Sequence, residues 1–159
     1  MNIRVQRKEL ASTKDALKNE WMRKLLNIEI KTVEGSRFID NVTKRKIKEY
    51  SLSSQNRRKF LMYCIRAAIE DDYLSVTNLI RLIGVSRAAA ETMIKECEQA
   101  EWIIIKRDKG KRRRIQANDI TVKTYAEYCD WLWQIIDESN MRQISASISE
   151  IEKLEQKFS

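Results

Sequence analysis

The chain has 159 residues and a net charge of +8, from 31 Lys and Arg against 23 Asp and Glu, with three Gly and no Pro. A many-stranded sandwich or barrel needs frequent tight turns, and these counts lack the residues that make them, which leaves a mainly helical protein. The chain has no His, which excludes Ser-His-Asp and Cys-His catalysis as well as His-ligated metals.

Leu10, Leu17, Trp21, Leu25 and Ile28 recur at helical spacing and predict a long amphipathic helix over about 8–32. Phe38, Val42 and Ile47 outline a second over 37–50. After a Ser-rich break, Leu61, Ile65, Ala68 and Ile69 predict a third over 55–72. Tyr73 to Val76 reads as a short extended segment, and Thr77 is placed to cap a short helix, Asn78 to Ile83. Gly84 supplies the left-handed residue that ends it.

Ser86 then caps a strong helix former, Arg87 to about Ala100, whose Ala90, Met93, Ile94 and Cys97 make a buried stripe. Trp102 to Arg107 is β-rich, the Gly110 loop turns the chain, and Arg112 to Ala117 is extended again, so a hairpin is expected. In that second strand Ile115 and Ala117 should face the core while Arg114 and Gln116 point away. Residues 119–138 and 142–158 complete the chain as two more helices. The three Cys all fall at helical positions expected in a core. They contain no Cys-x-x-Cys pair, so neither a metal site nor a cofactor is expected.

Charge is unevenly spread. Residues 1–60 carry net +9, 61–100 net −2, 101–118 net +5 and 119–159 net −4. The order helix, short strand, helix, Gly turn, helix, basic hairpin is that of a helix-turn-helix followed by a wing. A helix whose N-terminal end projects from such a turn fits the major groove of B-form DNA. With the buried stripe inward, Arg87, Ala88, Glu91, Thr92 and Lys95 face outward as candidate base and phosphate contacts. Arg87 suits guanine, Ala88 or Thr92 a thymine methyl, and Glu91 the amino group of cytosine. In the hairpin, Arg107, Lys109, Lys111, Arg112, Arg113 and Arg114 form a basic cluster suited to phosphates or the minor groove.

Residues 58–117 resemble the winged helix of MarR-type bacterial transcription regulators, most clearly in the run LSVTNLIRLIGVSRAAAETMIKECEQAEWIIIKRDKGKRRRIQA. That resemblance implies a homodimer in which N- and C-terminal helices interleave. The wing departs from the family's Asp-x-Arg pattern, since Asp108 is followed by Lys109-Gly110-Lys111 before Arg112. Instead of the Leu-Thr-x-x-Gly segment common after the family's wing, the chain has Asn118-Asp119-Ile120-Thr121.

The expected architecture is mainly α with a small β-hairpin wing. Residues 1–54 form an N-terminal helical region for dimerisation or a DNA arm, 55–118 a winged helix, and 119–159 C-terminal dimerisation helices. Leu17, Trp21, Leu25, Trp131, Trp133, Ile144, Ile148 and Ile151 are the candidate dimer contacts. Trp131 and Trp133, with Tyr125 and Tyr128, alternatively line a pocket for a small-molecule effector.

No apolar run reaches the ~18 residues of a membrane span, and the N-terminus lacks a signal-peptide core. A cytoplasmic, non-enzymatic regulator of transcription that binds double-stranded DNA as a homodimer is the leading expectation. A phage- or plasmid-type replication, partition or architectural protein, or a winged helix that binds protein, is the alternative.

Overall fold

A computed structural model describes residues 3–35, 39–110 and 112–158. Phe38 and Lys111, both named above, lie outside them. The elements run α1 (Ile3–Glu34), α2 (Val42–Ser53), α3 (Gln55–Ile69), β1 (Leu74–Ser75), α4 (Val76–Ile83), α5 (Arg87–Gln99), β2 (Ile103–Arg107), β3 (Arg113–Ala117), α6 (Asp119–Glu138) and α7 (Met141–Lys157). The chain divides into two units, residues 35–128 and residues 1–34 with 129–159. No helix among the described residues is long and apolar enough to cross a membrane.

In the unit of residues 35–128, side-chain caps start α2, α3, α4 and α5. Asn41 accepts from the Lys44 amide, Ser54 from Arg57, Ser75 from Asn78 and Ser86 from Ala89. Each satisfies one of the amides that a helix start leaves unpaired. Ser75, not Thr77, therefore begins the short helix, which opens at Val76.

Helix ends are more varied. At Gly84 (φ 78°, ψ 41°) the chain turns left-handed, and the Gly84 amide bonds to the Ile80 carbonyl at 2.9 Å. Asp71 (φ 52°) and Glu101 (φ 60°) make the same left-handed turn without glycine. There the Asp72 amide reaches the Ala67 carbonyl (2.8 Å) and the Trp102 amide the Cys97 carbonyl (2.9 Å), the double closure of a Schellman motif. The third helix accordingly stops at Ile69 rather than running on to 72.

These elements enclose one core. Phe60, Leu61, Cys64 and Ile65 of α3 meet Val76, Leu79 and Ile83 of α4, Met93, Ile94 and Cys97 of α5, and Trp102, Ile103, Ile115 and Ala117 of the sheet. Ile47 of α2 is buried in the same core, so α2 belongs with the winged helix and not with the N-terminal region to which the sequence boundary at 54 assigned it. The sheet is antiparallel in the order β1-β3-β2, with Leu74 opposite Ile115 and Arg107 opposite Arg113.

β3 is covered more fully than simple alternation predicts. Ile115 and Ala117 are buried as expected, but Gln116 is buried too, at 9% exposure. Its amide donates to the Asp72 carbonyl at 3.3 Å, so it does not point to solvent. Helix, turn, helix and hairpin stand in the predicted order. The fold is a winged helix.

In the other unit α1 lies against α7. Lys14 pairs with Glu155, and Lys18 with Glu152 at 3.8 Å. Met141, Ile144 and Ile151 of α7 and Ile28 and Thr32 of α1 are buried. Leu17, Trp21, Leu25, Trp131 and Ile148 are half-buried, and Trp133 is exposed. Cys129 is exposed as well, which leaves Cys64 and Cys97 as the buried cysteines.

Candidate nucleic-acid interface

Because Ala90, Met93, Ile94 and Cys97 are anchored in the core, the opposite face of α5 is turned outward. Arg87, Ala88, Thr92 and Lys95 are exposed on it. The Thr92 hydroxyl donates to the Ala88 carbonyl one turn back, at 3.0 Å. Val85, in the turn, packs against the core and holds the angle between α4 and α5.

Glu91 is differently placed. Its carboxylate is half-buried and paired with the Arg113 guanidinium at 2.5 Å. Arg113's hydrogen bond holds the Glu91 carboxyl below the usual carboxylate range, with a smaller contribution from Arg87. The contact takes one carboxylate oxygen of Glu91 and one guanidinium nitrogen of Arg113. It joins the two candidate contacts to each other and ties β3 to α5.

The hairpin closes with the Asp108 amide on the Arg112 carbonyl at 3.0 Å. Across it, Asp108 pairs with Arg114 at 3.0 Å, so the wing's single acidic residue restrains one of its cations. Arg107, Lys109 and Arg112 are exposed and have no carboxylate partner among the described residues. Lys106 lies over the Tyr73 ring, 4.5 Å from its centroid.

A second ionic cluster lies at the C-terminal half of α5. Glu96 receives Arg57 Nη2 on Oε1 at 2.7 Å, and Arg57 Nε at 3.2 Å and the Tyr50 hydroxyl at 2.7 Å on Oε2. Arg57 sits 5.2 Å over the Tyr50 ring, which meets Trp102 edge-on at 5.3 Å. The hydrogen bonds from Arg57, then Tyr50, hold the Glu96 carboxyl below the usual range. Nothing in the spacing of Tyr50, Arg57 and Glu96 signals this cluster. The cations at the start of α3, which oppose the helix dipole, are the only sequence hint of it. Burial pushes the neighbouring Cys97 thiol up to about 12, so it is no thiolate at neutral pH.

Beyond the hairpin, the Asn118 side chain accepts from the Thr121 amide at 3.1 Å, and the Thr121 hydroxyl donates to the Trp102 carbonyl at 2.8 Å. Asn118-Asp119-Ile120-Thr121 thus starts α6 and binds it to the base of the hairpin. On the outer face of α3, Met62, Tyr63, Arg66 and Ile69 form, with Tyr125, a groove of about 420 Å³. Tyr125 lines it, while Tyr128, Trp131 and Trp133 do not.

No family model matches the chain, and no curated protein matches it. Among solved structures it is similar to MepR, a transcription regulator of the multidrug efflux pump MepA of Staphylococcus aureus. That match has 14% identity over 74% of this chain and 93% of that one, at a TM-score of 0.48. A MepR–DNA complex from S. aureus matches at 14% identity over 90% and 94%, TM-score 0.44. The heme sensor PefR of Streptococcus agalactiae, in complex with heme, matches at 13% over 82% and 90%, TM-score 0.46. The order of elements in this chain, a winged helix between a long N-terminal helix and two C-terminal ones, follows the layout that the resemblance to MarR-type regulators implies.

Proposed function

We propose that the chain is a transcriptional regulator that binds double-stranded DNA as a homodimer, with α5 in the major groove and the wing against the backbone or minor groove. The observation that carries this reading is the pairing of two surfaces in one unit. An exposed, cation-bearing helix face (Arg87, Ala88, Thr92, Lys95) stands next to a hairpin whose Arg107, Lys109 and Arg112 have no carboxylate partner among the described residues. The dimensions of the major groove admit one such helix. Arg87, at the first turn, has the bidentate fork that matches guanine.

Dimerisation is supported by how little of α1 is covered. Trp21, Leu25, Ile28 and Thr32 form its inward stripe, yet Met22, Leu26, Ile30 and Val33 form a second apolar stripe that is 52–60% exposed. These four recur every three to four residues, hence on one side of the helix. Trp133 of α6 and Leu154 of α7 are also exposed. Contiguous apolar surface of this kind marks an interaction face. Leu17, Trp21 and Leu25, named from sequence as dimer contacts, lie nearer the inward stripe, so Met22, Leu26, Ile30 and Val33 are the better candidates.

Binding of the purified protein to a random duplex pool at 50 and 200 mM salt tests the reading. An enriched two-fold-symmetric motif is expected. Three wing cations from each protomer, Arg107, Lys109 and Arg112, would neutralise roughly six phosphates, so affinity should fall ~10³-fold between the two salts. Arg87→Ala should cost ~1–3 kcal/mol and relax preference at one base position. Tight binding without any motif points instead to an architectural or replication protein, and no binding to a protein partner.

A further inference from the structure

We infer that Glu96 is a positioning residue, which with Tyr50 and Arg57 sets the rotation of α5 about its own axis and so decides which bases the helix reads. The inference rests on the proposed DNA-binding role and extends it to residues outside the reading face. An α-helix advances about 100° per residue, so Glu91 and Glu96, five residues apart, project about 140° from each other. Between them, around the helix, lie Ala88, Thr92 and Lys95. Ala88, Thr92 and Lys95 are thus flanked by the two carboxylates, with Arg87 about 40° beyond Glu91, and each carboxylate is held by an arginine from a different element. Arg113 of β3 takes Glu91, and Arg57 of α3 takes Glu96.

The apolar stripe alone does not fix the rotation. Ala90, Met93, Ile94 and Cys97 contact the core through non-directional packing, which tolerates small rolls of the helix. The Arg57–Glu96 pair uses two donors on two oxygens, and the Tyr50 hydroxyl adds a third hydrogen bond. A forked guanidinium–carboxylate contact is directional in a way that packing is not. Tyr50 is itself located by its edge contact with Trp102 and by the guanidinium over its ring. The pairing also has an electrostatic effect. A bare carboxylate at the border of a groove-bound helix repels phosphate, and a guanidinium bound to it cancels that charge.

The test compares wild type, E96A, R57A and the double variant R57A/E96A, each with its thermal midpoint recorded. The probes are two duplexes, the motif selected by wild type and a scrambled sequence of the same length, both at 50 mM salt. Each single variant is expected to lower the ratio of motif to scrambled affinity about tenfold while scrambled binding changes less than twofold. The double variant should lose no more than either single one, because both act through one contact. E96Q, which keeps acceptor geometry for Tyr50, should fall between E96A and wild type. A general structural role predicts equal loss on both duplexes in step with the thermal midpoint, and that result overturns the inference. So does a ratio left unchanged in E96A. A wild-type protein that binds neither duplex removes the DNA-binding reading and this inference with it, whereas wild-type selectivity that persists in E96A removes the inference alone.

Discussion

Asp71 and Glu101 stand at left-handed positions where glycine is the residue without a steric cost. A Cβ in that conformation costs roughly 1–2 kcal/mol, repaid here by the Schellman closure of α3 and α5. Glu101 is exposed, and its main-chain carbonyl receives the Asn118 side chain, a contact any residue at 101 can supply. Glu101→Gly is therefore expected to stabilise the fold by about 1 kcal/mol, read as an upward shift of the urea midpoint. No gain, or a loss, would show that the Glu101 side chain does something its exposure does not reveal. The same two residues explain why helix ends were harder to read in the sequence than helix starts. Ser54 and Ser86 are cap residues by type, and both helices begin where those caps place them. The stop signals are carried by an Asp and a Glu, which look like ordinary helix surface, whereas Gly84 marked its helix end correctly.

At the level of elements, α5 is held by two ion pairs as well as by its apolar stripe, and those pairs give stability a pH dependence with a definite sign. Glu91 and Glu96 both titrate below the ordinary carboxylate value of 4.5. A carboxyl whose folded pKa is depressed contributes stability that is present above its unfolded pKa and is lost as pH falls through the folded one. Stability is expected to decline as pH falls below the ordinary carboxylate range and through the depressed folded values, and the decline should be shallower in E96Q. Both pairs are about one-third exposed, so solvent screening keeps the effect modest. An identical pH profile for E96Q and wild type in chemical unfolding would contradict it.

The outward face of α5 was legible from periodicity, since four of its five candidates are exposed. The role of Glu91 was not, because spacing within one helix cannot reveal an arginine on a strand 22 residues later. Gln116 misled for a related reason. Its amide is tied to the carbonyl of the Asp72 turn, a contact that alternation along one strand cannot reveal.

For the molecule as a whole, the two units differ in how far their apolar surface is satisfied. The winged helix buries a full core, while α1 and the far half of α6 leave large apolar side chains exposed, Trp133 at 63%. The sequence of α1 predicts an amphipathic helix. It could not say which stripe of α1 would be used internally, because both stripes repeat at the same spacing. Leu26→Glu together with Ile30→Glu should convert a dimer to a monomer in sedimentation equilibrium and weaken duplex binding. Helicity should be kept, since both positions are solvent-facing within the protomer. A double variant that remains dimeric would place the interface elsewhere.

The four Trp residues are divided between the units in a way that has an optical consequence. Trp21, Trp131 and Trp133 fall in one unit and Trp102 alone in the other. Trp102 is 8% exposed and lies where the edge of Tyr50, the end of α5 and the base of the hairpin meet. With the other three replaced by Phe, its emission reports on the winged helix alone, from inside the cluster that holds α5. The chain thus carries an intrinsic fluorophore at the joint between α5 and the hairpin, and a duplex that disturbs that joint can be followed without any attached dye.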